Sequence, residues 1–243
     1  MKIIIVCYPT FGGSGVLATE LGHQLSENGH SVHFIAYEKP VRLKVNDESI
    51  FFHKVNVPFY PLFNFQPYEL ALSTKIVDVA TKNSIDLIHV HYAIPHAYAA
   101  YMAQKMLKMN NIKLPIITTL HGTDITLVGK HPFYKNAVKF SIEKSNIVTS
   151  VSKSLKNDTH EFFETKKKIE IIPNFVDIRK FDIQLNLCNQ SDKITTITHV
   201  SNFRPVKNIR ALIKIFSKIS QNHECKFNLI GEGPELDVAK SMS

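Results

Sequence analysis

Leu120-His121-Gly122-Thr123-Asp124 puts an imidazole, a flexible glycine, a hydroxyl and a carboxylate directly after an apolar run that reads as a strand. An imidazole can donate or accept a proton near neutral pH, and the carboxyl end of a strand is where open α/β sheets hold ligands. His121 is therefore a candidate for contact at a reacting centre. Thr123 and Asp124 could bind a substrate, or could cap the turn that follows. Upstream, Pro9-Thr10-Phe11-Gly12-Gly13-Ser14-Gly15 crowds three glycines into four positions between a strand and a helix. Glycine lets backbone N–H groups come close to a ligand, and the positive end of the following helix favours an anion. Gly12, Gly13, Ser14 and Gly15 are thus candidate substrate-binding residues, with a plain tight turn as the alternative. Gly13–Ala18 also fits G-x-G-x-x-A with Glu38 about twenty residues later, the dinucleotide pattern, although five residues separate Cys7 from Gly13.

A third segment, His89-Val90-His91-Tyr92-Ala93-Ile94-Pro95-His96, ends another strand. His89 and His91 share one side of that strand. The pair could ligate zinc, but no spaced carboxylate or cysteine completes a site, and both could equally be packing residues. Tyr92, just past the strand end, is better placed to touch a ligand. Ile172-Pro173-Asn174-Phe175-Val176-Asp177 offers Asn174 and also reads as a turn. Val200-Ser201-Asn202-Phe203-Arg204-Pro205-Val206-Lys207-Asn208 sets Arg204 and Lys207 at the expected start of a helix over 207–221. Cations are disfavoured there by the helix dipole, so an anionic ligand such as a diphosphate would repay the placement; two solvated surface charges are the plainer reading.

These residues need a frame. Apolar runs at 2–7, 31–37, 51–57, 87–90, 116–120, 147–151 and 169–172 alternate with helical patterns at 15–28, 67–83, 94–109, 132–144 and 152–163. Short apolar strands separated by helices predict a parallel sheet covered on both faces, a doubly wound α/β domain. A polar stretch at 184–193 reads as a linker. A second β-α-β unit follows, with strands at 195–201 and 226–230 and the turn Gly231-Glu232-Gly233-Pro234. The expected division is 1–182, a Rossmann-like acceptor-side domain, and 183–243, the start of a donor domain. The Phe-rich stretch 59–65, between Pro58, Pro61 and Pro67, reads as a packed loop.

Composition narrows the classes. Hydrophobic residues make up 44% and charged residues 21% of 243, ordinary for a globular chain. No apolar stretch reaches the roughly 20 residues that cross a bilayer, and Met1-Lys2 leads straight into a strand rather than a signal peptide. Three well-separated cysteines, Cys7, Cys188 and Cys225, suit a reducing compartment. A cytoplasmic protein is expected. Net charge is +8, with Lys166-Lys167-Lys168 the single dense run. Without Trp or interleaved aromatics, nucleic acid is an unsuitable partner, whereas anionic small molecules fit. P-loop and G-x-S-x-G motifs are absent.

Taken in order, the Gly-Gly loop, His-x-His-Tyr, His-Gly-Thr-Asp, Pro-Asn-Phe-Val-Asp, the Pro-x-Lys segment and Gly231-Glu232-Gly233-Pro234-Glu235 resemble the family-four retaining glycosyltransferases. The likeness covers essentially the whole chain and implies the GT-B fold of two Rossmann-like domains with a site in the cleft between them. Cys7-Tyr8-Pro9, 91–97, 120–124 and 200–204 are similar to members that move N-acetylglucosamine from UDP to the hydroxyl of L-malate, the first step of bacillithiol synthesis. The resemblance implies UDP-GlcNAc and L-malate as small-molecule partners, no cofactor and no metal; the missing D-x-D agrees. His121, Lys207 and Arg204 would be catalytic, with Lys207 neutralising the leaving diphosphate and Arg204 helping there or pairing with malate. Gly12–Gly15, Tyr92, Thr123, Asp124, Asn174 and Asn202 would bind substrates. Asn202 stands where many relatives carry Arg. The family's Glu pair has no counterpart in these residues, so the second domain is expected to be incomplete and the chain poorly active alone. A lipid or polysaccharide acceptor, a homo-oligomer, a non-catalytic binding fragment and an NAD-dependent oxidoreductase stay open.

Overall fold

A computed structural model describes residues 1–46, 48–181 and 194–242. The 184–193 stretch, the 182/183 division and Cys188 lie outside the described residues. The chain separates into two compact units, Met1–Val176 and Asp177–Ser243.

The first unit alternates strands and helices as the hydrophobic pattern predicts. Its strands are β1 (Lys2–Val6), β2 (Ser31–Ala36), β3 (Ile50–Lys54), β4 (Leu87–His91), β5 (Ile116–Leu120), β6 (Ile147–Ser150) and β7 (Ile169–Ile171). Its helices are α1 (Gly13–Glu27), α2 (Tyr68–Asn83), α3 (Tyr98–Met109), a single turn α4 (Thr123–Thr126), α5 (Pro132–Lys144) and α6 (Lys153–Phe163). The strands form one parallel sheet in the order β3-β2-β1-β4-β5-β6-β7. The winding direction therefore reverses between β1 and β4, which pair from Ile3↔Leu87 to Val6↔Val90. That reversal opens a crevice beyond the carboxyl ends of β1 and β4, the usual ligand position in such sheets.

Both faces are covered, but unequally. Ile4, Val6, Ile88, Val90 and Ile116 pack under α2 and α3, and Leu120 and Val148 under α5 and α6. The opposite face, with Ile3, Ile5 and Phe34, receives α1. Ile4, Ile5 and Ile88 are fully buried, each side chain contributing about 1.5–3 kcal/mol. The helix predicted from 94 instead begins at Tyr98. A π-helical turn, Ala93–Ala97, precedes it, with Ile94 extended at φ −133° and ψ 145°. Pro95 explains this, since the residue before proline is driven out of the helical region.

A second difference concerns 58–67. Read from sequence as a packed loop, it presents Phe59, Leu62 and Phe65 to solvent at 79%, 79% and 91% exposure.

The second unit pairs β8 (Thr195–Val200) in parallel with β9 (Cys225–Ile230) and adds α7 (Ile209–Ser220) and α8 (Leu236–Met242). Phe203, Ile209, Ile213 and Ala239 form its core. Among the described residues, no helix is long and apolar enough to cross a membrane.

Candidate active site

Three strand ends in the first unit converge on Tyr92. The chain leaves β4 through Tyr92 at φ 85°, ψ 136°, a left-handed conformation that is costly for a bulky residue and turns its ring back over the sheet edge. The Ser14 hydroxyl, on the first turn of α1, donates to the Tyr92 phenol oxygen at 3.1 Å. The Thr123 hydroxyl, beyond β5, donates to the same oxygen at 3.2 Å. Two donors fill the phenol's lone pairs and leave its own O–H to be given elsewhere. The Tyr8 ring, from the loop after β1, packs edge-on to Tyr92 at 5.2 Å.

The loop that carries Ser14 is shaped by its own packing. A Cβ on Gly15 would lie 2.4 Å from the Tyr8 carbonyl oxygen and 2.7 Å from that of Thr10, so this position admits only glycine. A Cβ on Gly13 would meet nothing within 4 Å. Gly12 caps α1 without a side chain, and no carboxylate occupies the first turn. The helix thus presents free N–H groups and a positive end.

Behind Tyr92 lies a layer of histidines. His91 Nδ1 and His121 Nε2 are 2.8 Å apart, and their rings stack at 5.0 Å. His89 stacks on His91 at 4.8 Å and meets the Thr119 hydroxyl at 2.8 Å. Thr119 in turn reaches Thr149 at 2.7 Å across β5 and β6. His96 is fully buried, and its Nδ1–H donates to the His91 carbonyl at 2.5 Å. Burial pushes His89, His96 and His121 down to about 4, with His121 adding to the effect at His89 and His96 to that at His121. His91 is lowered well below the usual range by burial and by His89, His121 and His96. At neutral pH the layer is uncharged. His121 uses Nε2 internally and is partly exposed, which leaves Nδ1 for a substrate.

Asp124 differs from its expected role. It is 1% exposed, and its carboxylate faces the protein rather than a substrate. Oδ2 accepts from Ala93 N–H at 3.1 Å; Oδ1 accepts from Gly122 N–H at 3.0 Å and His121 N–H at 3.2 Å. Gly122, at φ 115°, makes the turn that permits this. Asp124 therefore clips the loop after β4 to the loop after β5. Burial raises its pKa to about 6 against the lowering effect of those N–H bonds. Sequence reasoning identified the residue but not this work, because the amide partner at Ala93 is thirty-one residues away.

Asn174 is exposed beyond β7, and among the described residues no hydrogen bond ties it to Tyr92 or His121. Among the described residues, no cluster of three or more His, Cys, Asp or Glu is arranged to hold a metal ion.

Comparisons with known proteins identify the family. The model of Glycosyltransferase Family 4 matches residues 11–180. The chain belongs to that family. It is 46% identical over 243 residues to N-acetyl-alpha-D-glucosaminyl L-malate synthase of Bacillus anthracis, an alignment covering 97% of this chain and 62% of the relative. A glycosyltransferase structure from Rickettsia africae superposes with a TM-score of 0.72 at 20% identity, covering 99% of this chain and 62% of that one. HepE of Anabaena, solved with UDP and glucose, gives 0.65 at 17% identity, covering 100% and 64%. The chain thus spans about three-fifths of the length of such relatives. These likenesses carry the GT-B fold, and family membership sets aside the oxidoreductase reading of Gly13–Ala18.

The family match includes the glycine loop, Tyr92, His121 and Asp124 and ends before Arg204 and Lys207. Those two occupy a different setting from the one expected. A 3-10 turn, Pro205–Lys207, and a left-handed Asn208 at φ 50° precede α7, which starts at Ile209. The cations lie in the turn before the helix, both exposed. Asn202 is exposed beside them, while Phe203 anchors the segment at 1% exposure. Phe203 N–H donates to the Glu232 carbonyl at 2.8 Å and Glu235 N–H to the Phe203 carbonyl at 2.9 Å. The Arg204–Lys207 segment and the Gly231–Pro234 turn are thereby zipped together at the carboxyl ends of β8 and β9.

Proposed function

We propose that the protein transfers N-acetylglucosamine from UDP-N-acetylglucosamine to the hydroxyl of L-malate, with retention at the anomeric carbon. The observation that carries this reading is the 46% identity, spread over 97% of the chain, to a relative named for that synthesis. The bond from the anomeric carbon to the diphosphate breaks, a bond to the malate oxygen forms, and the hydroxyl proton leaves with the products.

The roles divide between the units. In the first, the free N–H groups at the start of α1 and the outward O–H of Tyr92 suit a malate carboxylate. Ser14 and Thr123 fix the phenol, and Gly13 leaves room for close approach. His121, held neutral, would give a hydrogen bond to the donor sugar without adding charge beside the reacting carbon. Asp124 positions it. In the second unit, Arg204 and Lys207 would offset the negative charge that grows on the departing diphosphate, the interaction that matters most in such a transfer. Asn202 and Asn174 would complete donor and acceptor contacts. No cofactor is required, because the activated sugar supplies the driving force. The absence of a membrane-crossing helix among the described residues is compatible with a cytoplasmic reaction on small anions.

The test is incubation with UDP-N-acetylglucosamine and L-malate, with mass spectrometry for glycosylated malate and NMR for its anomeric configuration. An α-linked product supports the reading. Donor binding with malate untouched would transfer the search to another acceptor, a lipid or polysaccharide included. Failure to bind either substrate would overturn it.

A further inference from the structure

His91 and His121 share a single hydrogen across their contact, and its position decides what His121 offers to a substrate. His91 Nδ1 and His121 Nε2 lie 2.8 Å apart. Burial keeps both rings neutral at physiological pH, so each ring carries one N–H. One nitrogen must donate and the other accept, and the choice fixes the remaining nitrogen of each ring. In the first arrangement His91 donates from Nδ1. Its Nε2 is then a bare lone pair, and His121 carries its hydrogen on Nδ1, as a donor. In the second, every role is reversed: His91 holds Nε2–H, and His121 Nδ1 is a bare acceptor.

The far nitrogen of His91 distinguishes the two. It is buried and has no hydrogen-bond partner among the described residues. His91 borders a groove of about 430 Å³ on the α1 face of the sheet, with Leu17, Leu21, Leu87 and Ile117 around it. The polar side chains along that groove are engaged elsewhere. His89 meets Thr119, Thr119 meets Thr149, and Glu170 pairs with Lys168 at 2.6 Å. His96 commits its Nδ1–H to the His91 carbonyl. A buried N–H without an acceptor is rarer in native proteins than an acceptor without a donor, so the arrangement that strands His91 Nε2–H is the costlier one. The other end of the pair does not tilt the balance, because His121 is partly exposed and solvent serves either form.

We propose that His91 is a positioning residue that holds His121 in its Nδ1–H tautomer, so that His121 meets a substrate as a hydrogen-bond donor and not as a base. His121 then recognises an acceptor oxygen and is unsuited to removing the proton of an attacking hydroxyl. The tautomer stands independently of the reaction; its effect on rate rests on the proposed transfer to malate.

Long-range proton–nitrogen NMR of the imidazole rings at neutral pH separates a protonated ring nitrogen from a bare one. The His121 signals are those lost in His121→Asn. In the parent protein His121 should show a protonated Nδ1 and a bare Nε2. His91→Phe keeps a ring between His89 and His121 but removes the donor, so both tautomers of His121 should appear. With UDP-N-acetylglucosamine and L-malate, its kcat/KM should fall by the inverse of the fraction still in the Nδ1–H form, about three- to tenfold. A parent His121 that is protonated on Nε2, or that averages two tautomers, overturns the proposal even where His91→Phe does not fold. So does a His121 that stays wholly Nδ1–H in that variant. The expected tautomers in a protein that makes no glycosylated malate would support this assignment while sinking the malate reading.

Discussion

The strand ends of the two units carry polar groups in opposite states. Beyond β4 and β5, Tyr92, His91, His121 and Asp124 each have a defined partner, and the histidine layer is buried and neutral. Beyond β8 and β9, Arg204 and Lys207 stand exposed in a turn, while the backbone beneath them is fastened through Phe203. The first arrangement buys orientation and gives up charge. The second supplies charge whose reach depends on salt. The proposed transfer from an anionic donor to an anionic acceptor would need both, and the contrast predicts different failures when each is disturbed.

The largest effect belongs to Asp124. Asp124→Ala leaves three backbone N–H groups without an acceptor in a buried place, at about 1–3 kcal/mol each before relaxation. We expect a loss of about 3–5 kcal/mol in stability, read by urea denaturation, together with a fall in kcat of more than a hundredfold at temperatures where the variant is folded. Asp124→Asn is the sharper probe. It keeps the shape but sets an NH₂ against at least one N–H donor, so its kcat should fall while its fold survives. Equal activity in Asp124→Asn and the parent would show that the clip does not position His121.

Lys207 comes next. Lys207→Ala should leave stability within about 0.5 kcal/mol, since the side chain is exposed, yet reduce kcat/KM about 10²–10³-fold. Arg204→Ala should do less. Raising salt should weaken the parent's donor affinity, because exposed charges are screened within about 8 Å at physiological ionic strength, and the dependence should flatten in Lys207→Ala. A salt dependence that survives the substitution would locate the diphosphate contact elsewhere.

The fold was largely legible in the sequence because its signal is local. Apolar runs such as Ile3-Ile4-Ile5-Val6 and Ile116-Ile117 can only be buried strands, and glycine and proline mark the breaks. The misreadings arose where long-range geometry decides. Ile94 looked helical by pattern, but Pro95 forced it extended. The 59–65 stretch read as a packed loop, yet nothing in the sequence says which side of a loop meets the protein. At the site, residue types were readable and partnerships were not. Thr119 belonged to no motif, and His96, although inside the His89–His96 segment, had no role assigned; their roles appear only when β4, β5 and β6 lie side by side. Asp124 was read as a binding residue or a cap of its turn, and its burial against the His121, Gly122 and Ala93 N–H groups favours the structural reading.

Acidification probes the neutral layer as a whole. His89, His96 and His121 sit near 4 in the folded protein against an ordinary 6.5, so the unfolded chain binds more protons between those values. Their contribution is fully present above about pH 6.5 and is lost as pH falls towards 4. Asp124 acts in the opposite sense. Its folded value, about 6, lies above the ordinary 3.8, so its contribution is present below 3.8 and lost as pH rises through 6. Four histidines including His91 outweigh one carboxyl. Unfolding free energy should drop by several kcal/mol from pH 7 to pH 4.5 in calorimetry or denaturant titration, with His33, also lowered to about 4 by burial, acting in the same sense. A flat profile would mean that the histidine layer is open to water.

The smallest effect should come from Tyr92→Phe, and it tests whether orientation and charge are separable. The substitution keeps the ring on Tyr8 and His121 but removes the one atom that Ser14 and Thr123 share. A hydrogen bond to a charged carboxylate contributes about 1.5–3 kcal/mol, so the KM for malate should rise about ten- to a hundredfold with kcat nearly unchanged. Ser14→Ala added to Tyr92→Phe should cost less than the sum of the two, because both act through the same phenol oxygen. If Tyr92→Phe instead lowers kcat as deeply as Lys207→Ala and leaves the malate KM unaltered, the phenol acts on the departing group, and the division of labour between the two strand ends fails.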